Sequence, residues 1–285
     1  VAAEPPLFAL DPTGRFTERA AAYALHRPSY PDGAIDAALE SLGDPRALVA
    51  ADVGAGTGIS ARLLAGRGVS VVAVEPNRAM REAAAPHPRV RFADGTAEAT
   101  GLAPGSVGLV LCAQAFHWFR PVEALAEFRR ILAPRGRLAV LANDRDESDA
   151  FTAAYSRLVR EAAGEHPAEA RPETFALAVR AGGFEDVRER EFRNEQRMDL
   201  EGLLGRAMSA SYVPRAGPAH AALAAGLRAL HARLADGEGR VRLAGSRTGP
   251  TSSSRALPSA RRANGSSALL LGFDPWTPRG TSVNS

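Results

Sequence analysis

The residues best placed to do chemistry form one short run, Asp52-Val53-Gly54-Ala55-Gly56-Thr57-Gly58, with one acid beyond it, Glu75. Glycine at 54, 56 and 58 lets the backbone turn sharply and lets a ligand touch main chain directly. Exposed amides at the start of the helix that follows favour a carboxylate or a phosphate. Glu75 stands twenty-one residues after Gly54 and ends the next apolar run, near the spacing of a carboxylate that holds ribose hydroxyls. Together these point to a nucleoside-bearing ligand. A dinucleotide fingerprint would want glycine where Ile59 stands and would leave Asp52 without a role. A tight turn without a ligand would explain the glycines but not Asp52 and Glu75 together.

A second pair, His117-Trp118, follows the apolar run 107–116. One reading makes His117 a base or acceptor-orienting imidazole beside an aromatic wall; the other makes the two a packed pair that orders the loop. His26 reads as a solvated residue, whereas the adjacent Arg27 suits a carboxylate partner, from cofactor or substrate. His87, His166, His220 and His231 show no metal-ligand spacing, and no metal is expected. Cys112 is the only cysteine, which excludes an internal disulfide; within an apolar run it reads as a buried strand residue.

The elements around these residues alternate. Runs rich in valine, leucine and alanine at 48–54, 69–76, 90–95, 107–116 and 137–144 lack polar alternation, so they read as strands covered on both faces. Helical stretches separate them, notably from Ile59 to a glycine stop at 66 or 68, at 77–85, and from Val122 to Pro134. Right-handed crossovers then predict an α/β fold, a Rossmann-like, doubly wound, mostly parallel sheet with helices on both faces. Ahead of it, 16–41 reads as two helices punctuated by Arg27-Pro28-Ser29-Tyr30-Pro31. Beyond it, 151–163, 172–181, 199–210 and 218–236 read as helices and 183–198 as one further strand.

On these residues the chain resembles the class I S-adenosylmethionine-dependent methyltransferases, whose first motif is an acid followed by alternating glycines. Within them it is similar to the type 11, trans-aconitate methyltransferase-like branch of small-molecule enzymes, with a His-Trp pair after strand four. The likeness runs from about Phe16 to Gly183 and includes the segments 16–31, 95–98, 113–119 and 131–140. It implies S-adenosylmethionine as cofactor, with Glu75 on the ribose, Pro76 and Met80 beside adenine, and Ala97 and Glu98 at the adenine rim. It implies too that Asp52, Gly54, Ala55, Gly56 and the backbone at Ala113 cradle the methionine moiety, with Tyr23 and Arg27 closing over it. His117 is the catalytic candidate, and the partner is a small-molecule acceptor, methylated on O, N or C. A non-catalytic S-adenosylmethionine-binding remnant is the alternative. Three positions depart from the pattern: Thr96 replaces an aspartate that accepts from the adenine amino group, Gly108 an aspartate opening strand four, and Arg135 the first glycine of a Pro-Gly-Gly turn.

Net charge is +3, but five arginines against Asp274 give residues 245–285 a charge of +4 and leave 1–244 at −1. The body thus carries no electrostatic footprint for nucleic acid. No apolar run reaches the ~20 residues that span a bilayer, and no leader pattern opens the chain, so a cytoplasmic location without membrane contact is expected. Every basic side chain is arginine, as expected of a GC-rich bacterial genome; Val1 fits either a GTG start or a trimmed end. Four segments are expected: a helical lid at 1–45, the cofactor domain at 46–198, a helical segment at 199–244 completing the fold and the acceptor pocket, and a tail at 245–285. The Ser-, Gly-, Pro- and Arg-rich tail reads as disordered. It also reads as a shifted reading frame: if Ser252, Ser253 and Ser254 use TCN codons, one base earlier each becomes Phe, Leu, Ile or Val. In that case the fold's final antiparallel strand, between the fifth and sixth, is missing.

Overall fold

A computed structural model describes residues 16–164, 179–245 and 267–271. Its sheet contains the five expected strands, β1 (Val49–Val53), β2 (Ser70–Val74), β3 (Val90–Ala93), β4 (Val107–Ala113) and β5 (Leu132–Leu141). Two more join it, β6 (Glu185–Arg190) and β9 (Ser267–Leu271), in the order β3-β2-β1-β4-β5-β9-β6. The strands pair in parallel throughout. Sequence order reverses between β1 and β4, and the carboxyl ends of these two strands open the crevice where ligands sit in such sheets.

Both faces are covered. On one, α2 (Asp32–Leu39) and α3 (Ile59–Gly66) pack Ile35 and Leu64 against Leu109 and Leu111 of β4. On the other, α5 (Pro121–Ile131) packs Phe128 and Ile131 against Val110 and Cys112 of the same strand. Alternate residues of β4 thus enter opposite cores, which is why its sequence shows no polar alternation. Truncating Leu111, which is fully buried, to alanine would cost about 2–5 kcal/mol. Gly108 leaves the space that Leu48 occupies; a Cβ there would lie 2.5 Å from the leucine Cδ1, so the missing aspartate is replaced by apolar packing.

A third core lies outside the sheet. Here α6 (Ala150–Ala163), α7 (Leu200–Met208) and α8 (Pro218–Leu234) meet through Tyr155, Val159, Leu203, Leu223 and Leu227. Two short antiparallel strands, β7 (Glu195–Met198) and β8 (Val241–Ala244), complete it. The lid is α1 (Ala20–His26), followed by α2, with Arg27 to Pro31 between them. Arg137 of β5 fastens the end of α2 by donating to the carbonyls of Ala38 and Glu40 at 3.2 and 2.7 Å, which a helix C-terminus leaves unpaired.

Three expectations are corrected. The segment 183–198 is two strands in two sheets rather than one. The chain leaves the sheet after Arg190 because Phe192 packs beside Gly33, and the Asn194 amide donates to Ser29 O and Asn143 Oδ1 at 3.1 and 2.9 Å. Secondly, β7 pairs with β8, a strand at 241–244 that the sequence reading did not foresee. Thirdly, the seat between β5 and β6 is filled: Ser267–Leu271, inside the segment expected to be disordered, pairs with both, and in parallel rather than antiparallel. Two buried strand edges demand hydrogen-bonding partners there. The long connection from Ala244 makes the parallel crossover geometrically available. Residues 246–266 and 272–285 lie outside the described residues, as does most of the helix expected at 172–181.

Candidate functional site

The glycine loop begins where β1 ends. The amides of Gly54 and Ala55 both donate to Val74 O, at 2.9 and 3.2 Å, which pins the turn to the end of β2. Gly54 and Gly56 hold φ of +69° and +57°, left-handed values that side chains resist. Space matters as well as φ. A Cβ on Gly54 would stand 2.6 Å from Ala115 Cβ, and one on Gly56 would stand 3.3 Å from Met80 Cε. Glu75 reaches back across this turn: its carboxylate accepts from Gly56 N at 2.8 Å and from Asn77 N at 2.9 Å. Burial raises its pKa, and those two amides counter the rise.

Asp52 sits differently. It is fully buried beneath the loop, where Oδ2 accepts from the Ser60 hydroxyl at 2.7 Å and Oδ1 has no partner. Burial pushes its pKa up to about 7, against the hydrogen bonds from Ser60 and the Ala61 amide. It ties β1 to the first turn of α3 and does not reach the cavity. This corrects its expected place against the cofactor: an aspartate inside a strand covered on both faces points into the packing.

Above the loop lies a cavity of about 220 Å³. Its floor is Gly54, Gly56 and Glu75; Pro76, Met80 and Ala97 form an apolar side. Asn77 sets Met80 by capping α4 (Arg78–Glu82), accepting from Met80 N at 3.2 Å. The roof is aromatic. Phe16 meets Tyr23 and Trp118 edge-to-face at centroid distances of 5.9 and 6.0 Å, so the lid touches the loop after β4 across the opening. The lid is tied down at its start, where the Asn77 amide donates to Thr17 Oγ1 at 2.9 Å.

Of the residues implicated by sequence, Tyr23, Gly54, Gly56, Glu75, Pro76, Met80, Ala97 and Glu98 come together on the cavity wall. Glu98 accepts from Arg120 N at 2.9 Å and so braces the start of α5. Arg27, Ala55, Ala113 and His117 stand beside that wall and are not among the residues that line the cavity. Ala55 and Ala113 are turned into the core, and Arg27 lies over the Tyr23 ring at 4.5 Å. The His117 ring lies 5.0 Å from that of Trp118, and burial, helped by Arg27, lowers its pKa to about 4. It is a neutral imidazole at neutral pH. Cys112 is buried, as expected, and burial raises its thiol pKa.

Sequence reading missed Phe16, Gln114, Ala115, Phe119 and Arg120, which also line the cavity. Only Phe16 carried a signal, lying seven residues before Tyr23 on one helical face. Gln114 takes a left-handed φ of +54° and anchors itself by donating to Asn143 O at 2.7 Å. A strained non-glycine residue of that kind belongs to functional sites but leaves no mark in the sequence. Among the described residues no group of side chains could hold a metal ion, and no helix is long and apolar enough to cross a membrane.

The fold and cavity have relatives. Residues 51–140 match the methyltransferase domain family. An uncharacterized methyltransferase of Mycobacterium bovis is 43% identical over 46% of this chain and 53% of its own length. An uncharacterized methyltransferase-like protein of Schizosaccharomyces pombe is 34% identical over 50% and 57%. The chain therefore spans little more than half the length of the curated relatives it matches. Among solved structures, a type II methyltransferase from Anaeromyxobacter dehalogenans superposes with a TM-score of 0.52 at 28% identity, covering 76% of this chain and 94% of that one. Residues 51–140 thus carry a methyltransferase domain, on a fold shared with that solved methyltransferase. S-adenosylmethionine is the cofactor of the methyltransferase domain family, and the site fits it: the loop glycines leave room that a Cβ would fill, and a carboxylate waits at the end of β2.

Proposed function

We propose that this chain methylates a small molecule, using S-adenosylmethionine as donor. The observation that carries the reading is the juxtaposition of Gly54, Gly56 and Glu75 on one wall of a cavity roofed by the lid aromatics. When bound, the cofactor supplies a methyl group already activated on a sulfonium. Glu75 would hold the ribose hydroxyls: each carboxylate oxygen accepts one amide in this structure and has a second lone pair to offer. Pro76, Met80 and Ala97 would face the adenine, and Tyr23 and Gln114 the methionine end. Phe16 and Trp118 exclude water from above.

Catalysis of an in-line displacement then rests on position, because the donor needs no further activation. Neutral His117, behind the aromatic roof, would orient the Trp118 loop; no charge is required of it. Lid and glycine loop are both in place among the described residues, which supports turnover over a bare binding remnant. Calorimetry with S-adenosylhomocysteine tests the site, and transfer of a labelled methyl to a panel of small metabolites tests the activity. Glu75→Ala should weaken the product-cofactor affinity at least about tenfold. Equal affinity in that variant would refute the site.

A further inference from the structure

The lid helix α1 is fastened at its far end by the third core, through a contact that the cofactor reading does not use. His26, the last residue of α1, lies on α7 where Gly205 leaves room: a Cβ at 205 would fall against the imidazole ring. Expected to be solvated, His26 is half-buried. Its carbonyl accepts from Gln196 Nε2 of β7 at 3.2 Å. Ring and carbonyl are thus held by two neighbouring elements. β7 runs into α7 through Asp199, which caps that helix by accepting from Gly202 N at 2.8 Å.

Gly205 serves space rather than backbone freedom. Its φ is not left-handed, and its carbonyl accepts from Ser209 N at 2.9 Å, so α7 runs unbroken through it. Glycine inside a helix weakens the helix, so its presence here is explained by what packs against it. α7 cannot retreat from His26, because Leu203 and Ala207, two residues to either side and on the opposite face, are fully buried in the third core. The push of any atom added at 205 therefore falls on the lid. One turn before His26 stands Tyr23, which lines the cofactor cavity; Arg27 N donates to Tyr23 O at 3.2 Å and closes that turn. At its start the lid is held by cavity-side residues instead, Phe16 against Trp118 and Thr17 on Asn77.

We propose that His26 is a positioning residue: seated on Gly205, it sets the last turn of the lid and with it the Tyr23 wall of the cavity, so that the third core governs how tightly the cofactor is held. That the ligand is S-adenosylmethionine rests on the methyltransferase reading above; the mechanical link does not. Coupling between distant sites runs through chains of packed groups, here Gly205 to His26 to Tyr23. Two residues in such contact act non-additively on whatever the chain controls.

The test is a double-mutant cycle in the full chain, read by calorimetry with S-adenosylhomocysteine and, without ligand, by amide hydrogen exchange over residues 20–27. Gly205→Ala should lower the affinity at least about tenfold and quicken exchange over 20–27, with exchange in β1 and β4 unchanged. His26→Ala, which removes the ring, should lower the affinity about threefold. The double variant should bind no worse than His26→Ala alone, and so better than Gly205→Ala, because the added methyl then meets open space. The proposal is overturned if Gly205→Ala binds as the parent does, if exchange over 20–27 is unchanged, or if the two losses multiply in the double variant. Faster exchange in β1 and β4 as well would mark a general loss of structure and also overturn it. Should Gly205→Ala fail to fold, His26→Ala decides: parental affinity with parental exchange over 20–27 overturns the proposal, and a loss in both supports it. Failure of the unmutated chain to bind S-adenosylhomocysteine counts against the methyltransferase reading, and the exchange measurements then decide the present proposal alone.

Discussion

Replacing Asp52 by asparagine should change how stability depends on pH, in a direction opposite to the usual effect of losing a carboxylate. Asp52 is fully buried, with one oxygen on Ser60 and the other unpaired, and its pKa stands at about 7 against an unfolded value of 3.8. Over that window the folded chain holds a proton that the unfolded chain has released. Stability from this group is therefore complete below the unfolded pKa and is lost as pH rises through the folded one. From about pH 5 to about pH 8 the loss amounts to about 2–3 kcal/mol. Asparagine keeps the oxygen that Ser60 donates to, puts an uncharged group at the orphan position, and cannot ionise. Urea unfolding of both proteins across that range should show the difference, Asp52→Asn minus parent, rising by about 2–3 kcal/mol in favour of the variant. Other titrating groups, including His117 with its opposite slope, are shared by the two proteins and cancel. Parallel stability curves, or a difference that falls with pH, would show that Asp52 is ionised in the folded protein and that the burial argument is wrong.

Three further outcomes follow from the geometry. Arg135 holds a left-handed φ of +63°, so Arg135→Gly should raise the unfolding free energy by about 0.5–1 kcal/mol; no gain would mean that the turn carries no strain. Gly54→Ala should leave a folded protein whose S-adenosylhomocysteine affinity is at least about tenfold lower, since its Cβ would meet Ala115 and demand an unfavourable φ. With the pKa of His117 at about 4, its Cε1 proton resonance should stay flat from about pH 5.5 to pH 8, and a midpoint near 6.5 would contradict its burial.

What could be read from the chain was what periodicity and glycine encode. Strands buried on both faces advertise themselves as unbroken apolar runs, so β1, β2, β4 and β5 and their parallel order were legible, as were Gly54, Gly56 and Glu75. Side-chain direction within such a strand was not. Asp52 turns into the core, because nothing in an apolar run marks which neighbour opens to a ligand. The roof was half visible: Tyr23 and Trp118 were candidates, but Phe16 and Gln114 reach the cavity through tertiary contact and backbone strain. The break after Arg190 escaped notice because Phe192 and Asn194 find their partners more than 40 residues away, at Gly33, Ser29 and Asn143.

The strand at Ser267–Leu271 has a consequence for how the protein is made. It lies between β5 and β6, so the two strands it joins are synthesised long before it. At ~5–20 residues per second, a ribosome completes β6 some seconds before the strand that will hold it appears. During that interval β5 can pair with β4 on one side, but its other edge stays open, and β6 has no seat at all. The cofactor loop, the lid and the β1–β4 crevice need none of the late chain and can form first. Two unpaired edges meanwhile remain exposed to other chains, where edge pairing leads to aggregation. Yield of this protein in a cell should then follow the fate of its last strand more than the strength of its first core, and slowing synthesis after β6 should lower it.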